Sequence, residues 1–312
     1  MMGGMQATVA GSPGVRTVTV RRRGTRLDRD LVVVEEPLEI RLDGKPLVVT
    51  MRTPGHDEEL AAGFLYAEGT IAGGDDIASV RAVAGAAAPP GGSAVAGDGA
   101  VAGGGAPGGA GLGRIRVTRF AGDRVEVTLT DRAAQSEASD ARAGGLATAP
   151  DRERAFAATS ACGVCGKESV DDLRTDAPPI HPIDCEPALL EELPDRLRAA
   201  QALFEATGGI HAAGIFTPDG DLLCVREDIG RHNAVDKVIG HFVLAGGVPL
   251  RERILVVSGR AGFELVQKAL AASIPAMVSV GAASSVAVDM ATAAGMTLYS
   301  FAGRGRGNLH VA

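Results

Sequence analysis

Two cysteines three positions apart occupy a glycine-flanked stretch near the middle of the chain. They are Cys162 and Cys165, in the run Thr159-Ser160-Ala161-Cys162-Gly163-Val164-Cys165-Gly166-Lys167. A sulfur carrier needs a thiolate that attacks a donor persulfide and then presents its own terminal sulfur to an acceptor, and flanking glycines give the mobility for both encounters. The nearby positive charge of Lys167 favours the thiolate form. The spacing therefore predicts that Cys162 and Cys165 carry a persulfide.

The same pair is compatible with two other kinds of site. A Cys-x-x-Cys can be half of a zinc site or a thioredoxin-like redox pair. Zinc needs two further ligands at suitable spacing. The remaining cysteines, Cys185 and Cys224, occur singly, and the default role of a lone cysteine is a small buried apolar residue. We therefore favour sulfur transfer without a bound metal, and keep a structural or regulatory zinc or iron site as the alternative.

A second group of polar residues follows three predicted strands, each of which opens onto a helix. The segments are Arg226 to Asn233, Ser258 to Gly262 and Gly281 to Ser285. In an open α/β sheet the carboxyl ends of strands and the helix N-termini after them gather ligands, and backbone N–H groups there suit phosphate. Together the segments predict a nucleotide cleft, whose candidate contacts are Arg231, His232, Asn233, Arg260 and Ser284.

Two interpretations of these segments remain open. Arginine side chains there can form paired hydrogen bonds to phosphate or to a guanine edge. Alternatively, each segment is an ordinary strand-to-helix loop in which serine and asparagine cap the helix. The run from Glu227 to Asn233 holds more polar groups than a cap requires, so we favour the cleft.

His211 is a further candidate for the cleft. Its surroundings, Gly208-Gly209-Ile210-His211-Ala212-Ala213, resemble the His-x-Glu of zinc deaminases, but Ala213 stands where the glutamate would be. The Cys-x-x-Cys also precedes the histidine instead of following it, which argues against deamination. We expect His211 to line the cleft or to be hydrogen-bonded within a strand. Near the C-terminus, Arg304-Gly305-Arg306 is either a solvated tail or a segment that closes over an anion.

The overall charge narrows the range of partners. Lysine and arginine number 31 against 38 acidic residues, a formal net charge of −7. A general nucleic-acid binder carries a basic surface, and the negative net charge argues against one. Any phosphate site must therefore be local. No segment has the apolar length of a signal peptide or membrane span. We expect a cytoplasmic protein that binds neither nucleic acid nor a membrane and keeps its cysteines in a reducing compartment.

The first half of the sequence predicts a β-rich N-terminal domain. With 312 residues the chain can form two modest domains. We expect a disordered tail over residues 1–14 and the domain itself over residues 15–158. The domain is predicted to contain a helix from Asp57 to about Gly69. A stretch of Ala, Gly, Pro and Val over 82–113 predicts a flexible insertion. Strands are predicted at 15–20, 31–34, 38–42, 47–51, 114–117 and 125–129.

Beyond the cysteine loop, placed at 159–175, strands and helices alternate over residues 176–312. A helix is predicted from about 186 to 206, kinked or split at Pro194. The succession predicts a layered α/β domain with helices over a mixed sheet. Its other elements are strands 209–216, 222–226, 254–257, 276–280 and 297–301 and helices 234–245, 263–272 and 286–294.

These residues together resemble the formate dehydrogenase accessory sulfurtransferase family, FdhD. The resemblance runs from about residue 16 to the end, with the insertion at 82–113 as the main departure. The match over Arg226 to Lys237 is far more specific than the Cys-x-x-Cys alone. The other matching stretches are Met51 to Gly55, Gly63 to Gly69, the Cys-Gly-Val-Cys-Gly loop, Gly208 to Ala213 and Ser258 to Arg260.

The resemblance implies a homodimer whose C-terminal domain has a cytidine-deaminase-like fold without deaminase chemistry. It also implies that sulfur comes from a cysteine desulfurase and passes to the bis-molybdopterin guanine dinucleotide form of the molybdenum cofactor, which then enters formate dehydrogenase. GDP would mimic part of that cofactor. Carried over to this sequence, Cys162 becomes the persulfide carrier and Cys165 its partner. The implied cofactor contacts are Val256, Val257, Ser258, Gly259, Arg260 and Ala261.

Overall fold

The computed structural model describes residues 12–22, 27–85, 123–131, 133 and 180–310, together with the backbone of 156–157. Cys162 and Cys165 lie outside these residues, as do the N-terminal tail to residue 11, most of the predicted insertion and the predicted strand 114–117. None of the described helices is long and apolar enough to cross a membrane.

The N-terminal half forms a hairpin and a five-stranded sheet. Strands β1 and β2 pair antiparallel as the hairpin. The sheet has the order β5-β6-β3-β4-β7 and is mixed, because β3 is parallel to β6 but antiparallel to β4. The elements are β1 Val15–Arg21, β2 Leu27–Val33, β3 Glu36–Leu42, β4 Lys45–Arg52, α1 Asp57–Ala67, β5 Ile77–Val83, β6 Asp123–Leu129 and β7 Phe156–Ala157.

The C-terminal half forms a six-stranded mixed sheet covered by helices on both faces. Its order is β13-β12-β11-β10-β8-β9, with β10, β11 and β12 parallel and the others antiparallel to their neighbours. The elements are α2 Pro187–Ala199, α3 Ala202–Thr207, β8 His211–Phe216, β9 Leu222–Asp228, α4 Arg231–Leu244, β10 Ile254–Val257, α5 Phe263–Ala271, β11 Ala276–Ser279, α6 Ser285–Ala294, β12 Thr297–Ser300 and β13 Asn308–His310.

The two halves share one hydrophobic core. A single buried cluster runs from Leu38 and Val125 in the five-stranded sheet, through helices α1 and α4, to Leu255 in the six-stranded sheet. A second cluster packs α2 on the other face of the six-stranded sheet, where Leu193 meets its strands. The alternation of side chains along each strand produces these two faces. The prediction of an α/β fold with a mixed sheet is confirmed.

Helices α1 and α4 cross at two glycines. A Cβ atom added at Gly63 would lie 1.8 Å from the carbonyl oxygen of Asp236, and one added at Gly240 would lie 1.8 Å from that of Glu59. Only residues without a side chain let the two backbones approach this closely. This crossing fixes the distance between the N-terminal and C-terminal halves.

Several predicted boundaries need correction. The helix predicted over about 186–206 is divided at Ala200 and Gln201, whereas Pro194 lies inside α2. The ring of Pro194 is buried. The insertion predicted from Ala82 begins later, since β5 extends to Val83.

Three described strands carried no prediction, namely β5, β7 and the C-terminal β13. The two ends of the connection between β5 and β6 lie close together, because Gly85 donates its N–H to Asp123 Oδ1 at 2.8 Å. The residues of that connection lie outside those described.

Substitution Gly63→Ala tests the helix crossing. We expect it to lower the free energy of unfolding by about 2 kcal/mol or more, because overpacking a tight interface costs about 1–3 kcal/mol and here the added atom meets backbone. Chemical denaturation measures the effect. The matched control is Gly73→Ala, where the nearest atom to the new Cβ is 4.0 Å away. Equal stability of the two variants would show that the crossing is not tightly packed.

Candidate functional site

A cleft of about 950 Å³ lies at one edge of the six-stranded sheet. The carboxyl ends of β10, β11 and β12 meet the amino end of β8 at this edge, because β8 runs antiparallel to β10. The cleft lining includes His211, Ser258 and Phe301 from the sheet and its strand ends, and Arg198 and Gln201 from the junction of α2 and α3. A cleft of this volume can hold an organic ligand of nucleotide size or larger.

Hydrogen bonds between the strand ends make this edge continuous. Ser258 Oγ accepts the N–H of Ala212 at 2.9 Å, and the N–H of Ser258 donates to the carbonyl of Ala212 at 3.0 Å. In the same way Gly281 donates its N–H to the carbonyl of Gly259 at 2.9 Å. The three polar segments predicted to gather at the strand ends therefore lie together.

His211 is half-buried at the centre of this edge, near Gly259 and Arg231. A Cβ atom at Gly259 would lie 3.5 Å from Nδ1 of His211 and 4.0 Å from Cδ of Arg231. Burial lowers the pKa of His211 and the positive charge of Arg231 lowers it further, against an opposing effect of Asp228. A neutral imidazole presents one hydrogen-bond donor and one acceptor to the cleft.

The residues just behind the cleft form a fully buried polar network around Asp228. Lys237 Nζ lies 2.7 Å from Asp228 Oδ2, and the side chains of both residues are at most 1 % exposed. Asp228 also accepts the N–H groups of Thr53 at 3.1 Å and Gly230 at 2.8 Å, and the amide of Asn233 at 2.9 Å. This set of donors compensates the cost of burying the carboxylate.

The network joins the two halves of the chain. Lys237 also donates to the carbonyl of Thr53 at 2.8 Å, and Asn233 donates to the carbonyl of Met51 at 2.7 Å. Thr53 Oγ1 accepts the N–H of Ile229 at 3.1 Å. The loop between β4 and α1 is therefore held against the start of α4.

A buried arginine holds the same loop from its other side. Arg52 is 1 % exposed and donates to Asp57 at 2.9 and 3.0 Å and to Asp123 at 2.7 Å. Burial works to lower the pKa of Arg52, but hydrogen bonds and charge from the two aspartates outweigh it and the pKa is raised. The guanidinium stays charged and links β4, α1 and β6.

Glu227 positions the wall of the cleft that faces the sheet. Its two carboxylate oxygens accept the N–H groups of Leu203 and Phe204, each at 2.8 Å. These N–H groups belong to the first turn of α3, so Glu227 satisfies donors that a helix start leaves unpaired. Helix α3 is thereby fixed relative to β9.

The remaining predicted contacts occupy different environments. The side chains of Val256, Val257 and Ala261 are buried in the core. His232 is 8 % exposed, and its Nε2 lies 3.9 Å from Glu264. Contact of these residues with a cofactor stays a prediction.

Ser284 and Arg260 lie at the surface of the same edge. Ser284 caps α6, its hydroxyl accepting the N–H of Ala287 at 3.3 Å. Arg260 packs along Gly281, where an added Cβ would lie 2.9 to 3.1 Å from its atoms. Both positions allow contact with a ligand at the strand ends.

The described cysteines are poor nucleophiles. Burial raises the pKa of Cys185, and it raises that of Cys224 to about 11, outweighing the opposing effect of Arg226. Among the described residues no group of three or more histidine, cysteine or acidic side chains is arranged to hold a metal ion. Cys162 and Cys165 lie outside the described part of the chain.

Sequence comparison assigns the chain to a family. The model described as the FdhD/NarQ family matches residues 33–98 and 115–311. The chain belongs to the FdhD/NarQ family.

Curated relatives of this family member share its length. A "Sulfur carrier protein FdhD" from Streptomyces avermitilis is 42 % identical over 295 residues, which are 92 % of this chain and 89 % of the relative. The protein of that name from Corynebacterium efficiens is 43 % identical over 280 residues, with 89 % and 87 % covered. A third, from Mycobacterium tuberculosis, is 42 % identical, with 91 % and 93 % covered.

The fold of this FdhD/NarQ family member also occurs in a crystal structure. It is that of a candidate formate dehydrogenase accessory protein from Desulfotalea psychrophila, which matches with a TM-score of 0.63 at 20 % identity, covering 96 % of each chain. At this identity the match concerns the fold alone.

Sequence reasoning missed the cleft residues that come from the helices. Arg198, Gln201 and Phe204 line the cleft, yet the sequence pattern predicted only an amphipathic helix that is kinked or split at Pro194. No local signal marks the break that turns Gln201 toward the cleft. Arg304 and Arg306 also line it. Closure of their segment over an anion stays a prediction.

The pKa of His211 can be measured by NMR titration of its ring protons. We expect a midpoint below the ordinary value of 6.5, because burial and then the charge of Arg231 disfavour the protonated ring. Arg231→Gln should raise the midpoint, whereas Arg41→Gln, in the five-stranded sheet, should leave it unchanged. A wild-type midpoint at or above the ordinary value would contradict the described environment.

Proposed function

We propose that this protein is a cytoplasmic sulfurtransferase of formate dehydrogenase maturation. It accepts sulfur as a persulfide on Cys162 or Cys165 from a cysteine desulfurase and transfers it to the bis-molybdopterin guanine dinucleotide molybdenum cofactor. The cofactor is a substrate that binds in the cleft and then enters formate dehydrogenase. The proposed working form is a homodimer.

The relatives support the sulfur half of the proposal. They are named sulfur carrier proteins and align with about nine-tenths of this chain. The raised pKa of Cys224, which is buried, and of Cys185, which is half-buried, supports the choice of thiols, because a raised pKa leaves little thiolate at neutral pH. Cys162 and Cys165 are therefore the thiols that we propose to carry the sulfur.

The single observation that carries the cofactor half is the cleft at the strand ends. It combines a large volume with His211 and Ser258 from the sheet and with Arg304 and Arg306, which also line it. In a chain of net charge −7 these arginines, with Arg231 and Arg260 nearby, provide local positive charge for phosphate groups. Strand ends of an α/β sheet are where such ligands bind.

Loading of the carrier is a thiol–disulfide exchange. The thiolate of Cys162 attacks the terminal sulfur of the desulfurase persulfide, the S–S bond of the donor breaks, and the donor cysteine leaves as a thiolate. No external oxidant or reductant is consumed. On delivery the terminal sulfur passes to the cofactor, which supplies the two electrons that make it a sulfide ligand, and Cys162 is released as a thiolate.

A metal-binding protein of structural or regulatory role is the alternative. In that case the Cys-x-x-Cys would hold zinc or iron instead of sulfur. The two functions differ in what the same thiols carry, so one set of samples separates them.

Incubation with a cysteine desulfurase and cysteine tests the proposal. Mass spectrometry should find the mass of one added sulfur on Cys162 or Cys165, and a thiol reductant should remove it. Cys162→Ala should abolish the activity of formate dehydrogenase matured with the variant, while its thermal unfolding stays that of the wild type. Cys224→Ala is the matched control and should retain sulfur loading, because that thiol is buried.

Two results would contradict the proposal. Stoichiometric zinc or iron whose removal unfolds the protein would make the cysteines structural. Full formate dehydrogenase activity with Cys162→Ala and Cys165→Ala combined would show that neither thiol carries the sulfur.

A further inference from the structure

The part of the cleft lining that comes from the helices includes Arg198, Gln201 and Phe204, at the junction of α2 and α3. We call these three residues the helical wall. Each presents a group that a planar, hydrogen-bonding ligand would use.

Gln201 contributes an amide nitrogen that the described residues leave unpaired. The residue lines the cleft and is only 4 % exposed, and its Nε2 has no hydrogen-bond partner among the described residues. Native proteins pair nearly all buried polar groups, so an unpaired buried amide in the wall of a cleft indicates a ligand group. A carboxamide can turn about its last bond and pair with both a donor and an acceptor.

Arg198 and Phe204 contribute a stack beside this amide. The guanidinium of Arg198 lies over the ring of Phe204, 4.5 Å from its centroid, and is held by Glu205 at 2.5 Å. The side chain of Arg198 is 42 % exposed, so one face of its planar group remains open. A guanidinium fixed in this way stacks on flat aromatic rings.

The helical wall is rigidly attached to the site. Glu227 binds the first N–H groups of α3 and follows Arg226 on β9, which ends at the same sheet edge as His211. The wall therefore keeps its position relative to the sheet side without the ligand. Preformed walls of this kind reduce the cost of ordering on binding.

The cleft also contains positive charge from the segment between β12 and β13. Arg304 and Arg306 line the cleft and are exposed. The lining thus combines groups suited to a planar ring with charges suited to phosphate.

We propose that the helical wall binds the heterocycle of a phosphorylated ligand, with Gln201 pairing with the hydrogen-bonding edge of the ring. Arg198 stacks on the ring, and Arg304 and Arg306 bind the phosphates. The assignment deepens the proposed function, on which it rests for the identity of the cofactor, and it names Gln201 as the residue that reads the base.

Calorimetry with two probes, GDP and inorganic pyrophosphate, separates the ring from the phosphates. Gln201→Leu should weaken GDP about tenfold or more, since the polar edge of the base then loses its partner. It should change pyrophosphate affinity less than about twofold, because phosphate contacts lie elsewhere. Gln267→Leu on α5, outside the cleft, is the matched control and should change neither.

Two further variants keep the test independent of folding. Phe204→Leu should also weaken GDP selectively, whereas Arg304→Gln should weaken both probes by similar factors. Retained pyrophosphate binding shows that Gln201→Leu and Phe204→Leu are folded, and thermal unfolding at the wild-type temperature shows the same for Arg304→Gln.

Each failure has a distinct meaning. If Gln201→Leu binds GDP as the wild type does, or weakens both probes equally, the helical wall does not read the base and the inference is wrong, while the proposed function stands. If the wild type binds no GDP at all, the cofactor half of the proposed function fails and the inference fails with it.

Discussion

The structure depends on one buried ion pair, between Asp228 at the end of β9 and Lys237 in α4. Neither side chain is more than 1 % exposed. Burial of two charges is unfavourable unless geometry and further hydrogen bonds compensate it. Here Lys237 also reaches the backbone of Thr53, and Asp228 accepts three further donors. The pair is therefore formed only when β4, β9 and α4 are all in place.

This requirement explains why the segment from Glu227 to Lys237 is so rich in polar residues. Some of these residues hold the two halves together, and others position the cleft. Asp228, Asn233 and Lys237 face inward and join the halves, Glu227 orients α3, and Arg231 lies beside His211. A single segment thus sets the position of both sides of the cleft.

The limits of prediction from sequence follow from the same division. Strand and helix periods gave most elements to within a few residues, and the rule that ligands gather at strand ends pointed to Ser258. For His211 the sequence left two positions open, within a strand or lining the cleft. Polar residue types alone could not distinguish Asn233, which is enclosed in the network, from a ligand contact. Both roles require the same hydrogen-bonding groups, and only the tertiary contacts with Met51 and Asp228 decide between them.

The break between α2 and α3 was equally impossible to predict from the local sequence. Pro194 was the obvious breaker, but it lies inside α2, and the break occurs where Glu227 accepts the first N–H groups of a new helix. That capture is a long-range contact, which no local pattern encodes. It is also what turns Gln201 and Phe204 toward the cleft.

A double-mutant cycle on Asp228→Asn and Lys237→Met, followed by urea unfolding, tests the central role of the ion pair most directly. Removal of one partner from a buried pair costs about 3–5 kcal/mol, because the other charge is left uncompensated. Lys237→Met alone should lose about that much stability, and the double variant should recover at least about 2 kcal/mol relative to the sum of the single changes. Additive effects of the two substitutions would show that the halves are held together by other contacts and would contradict this account.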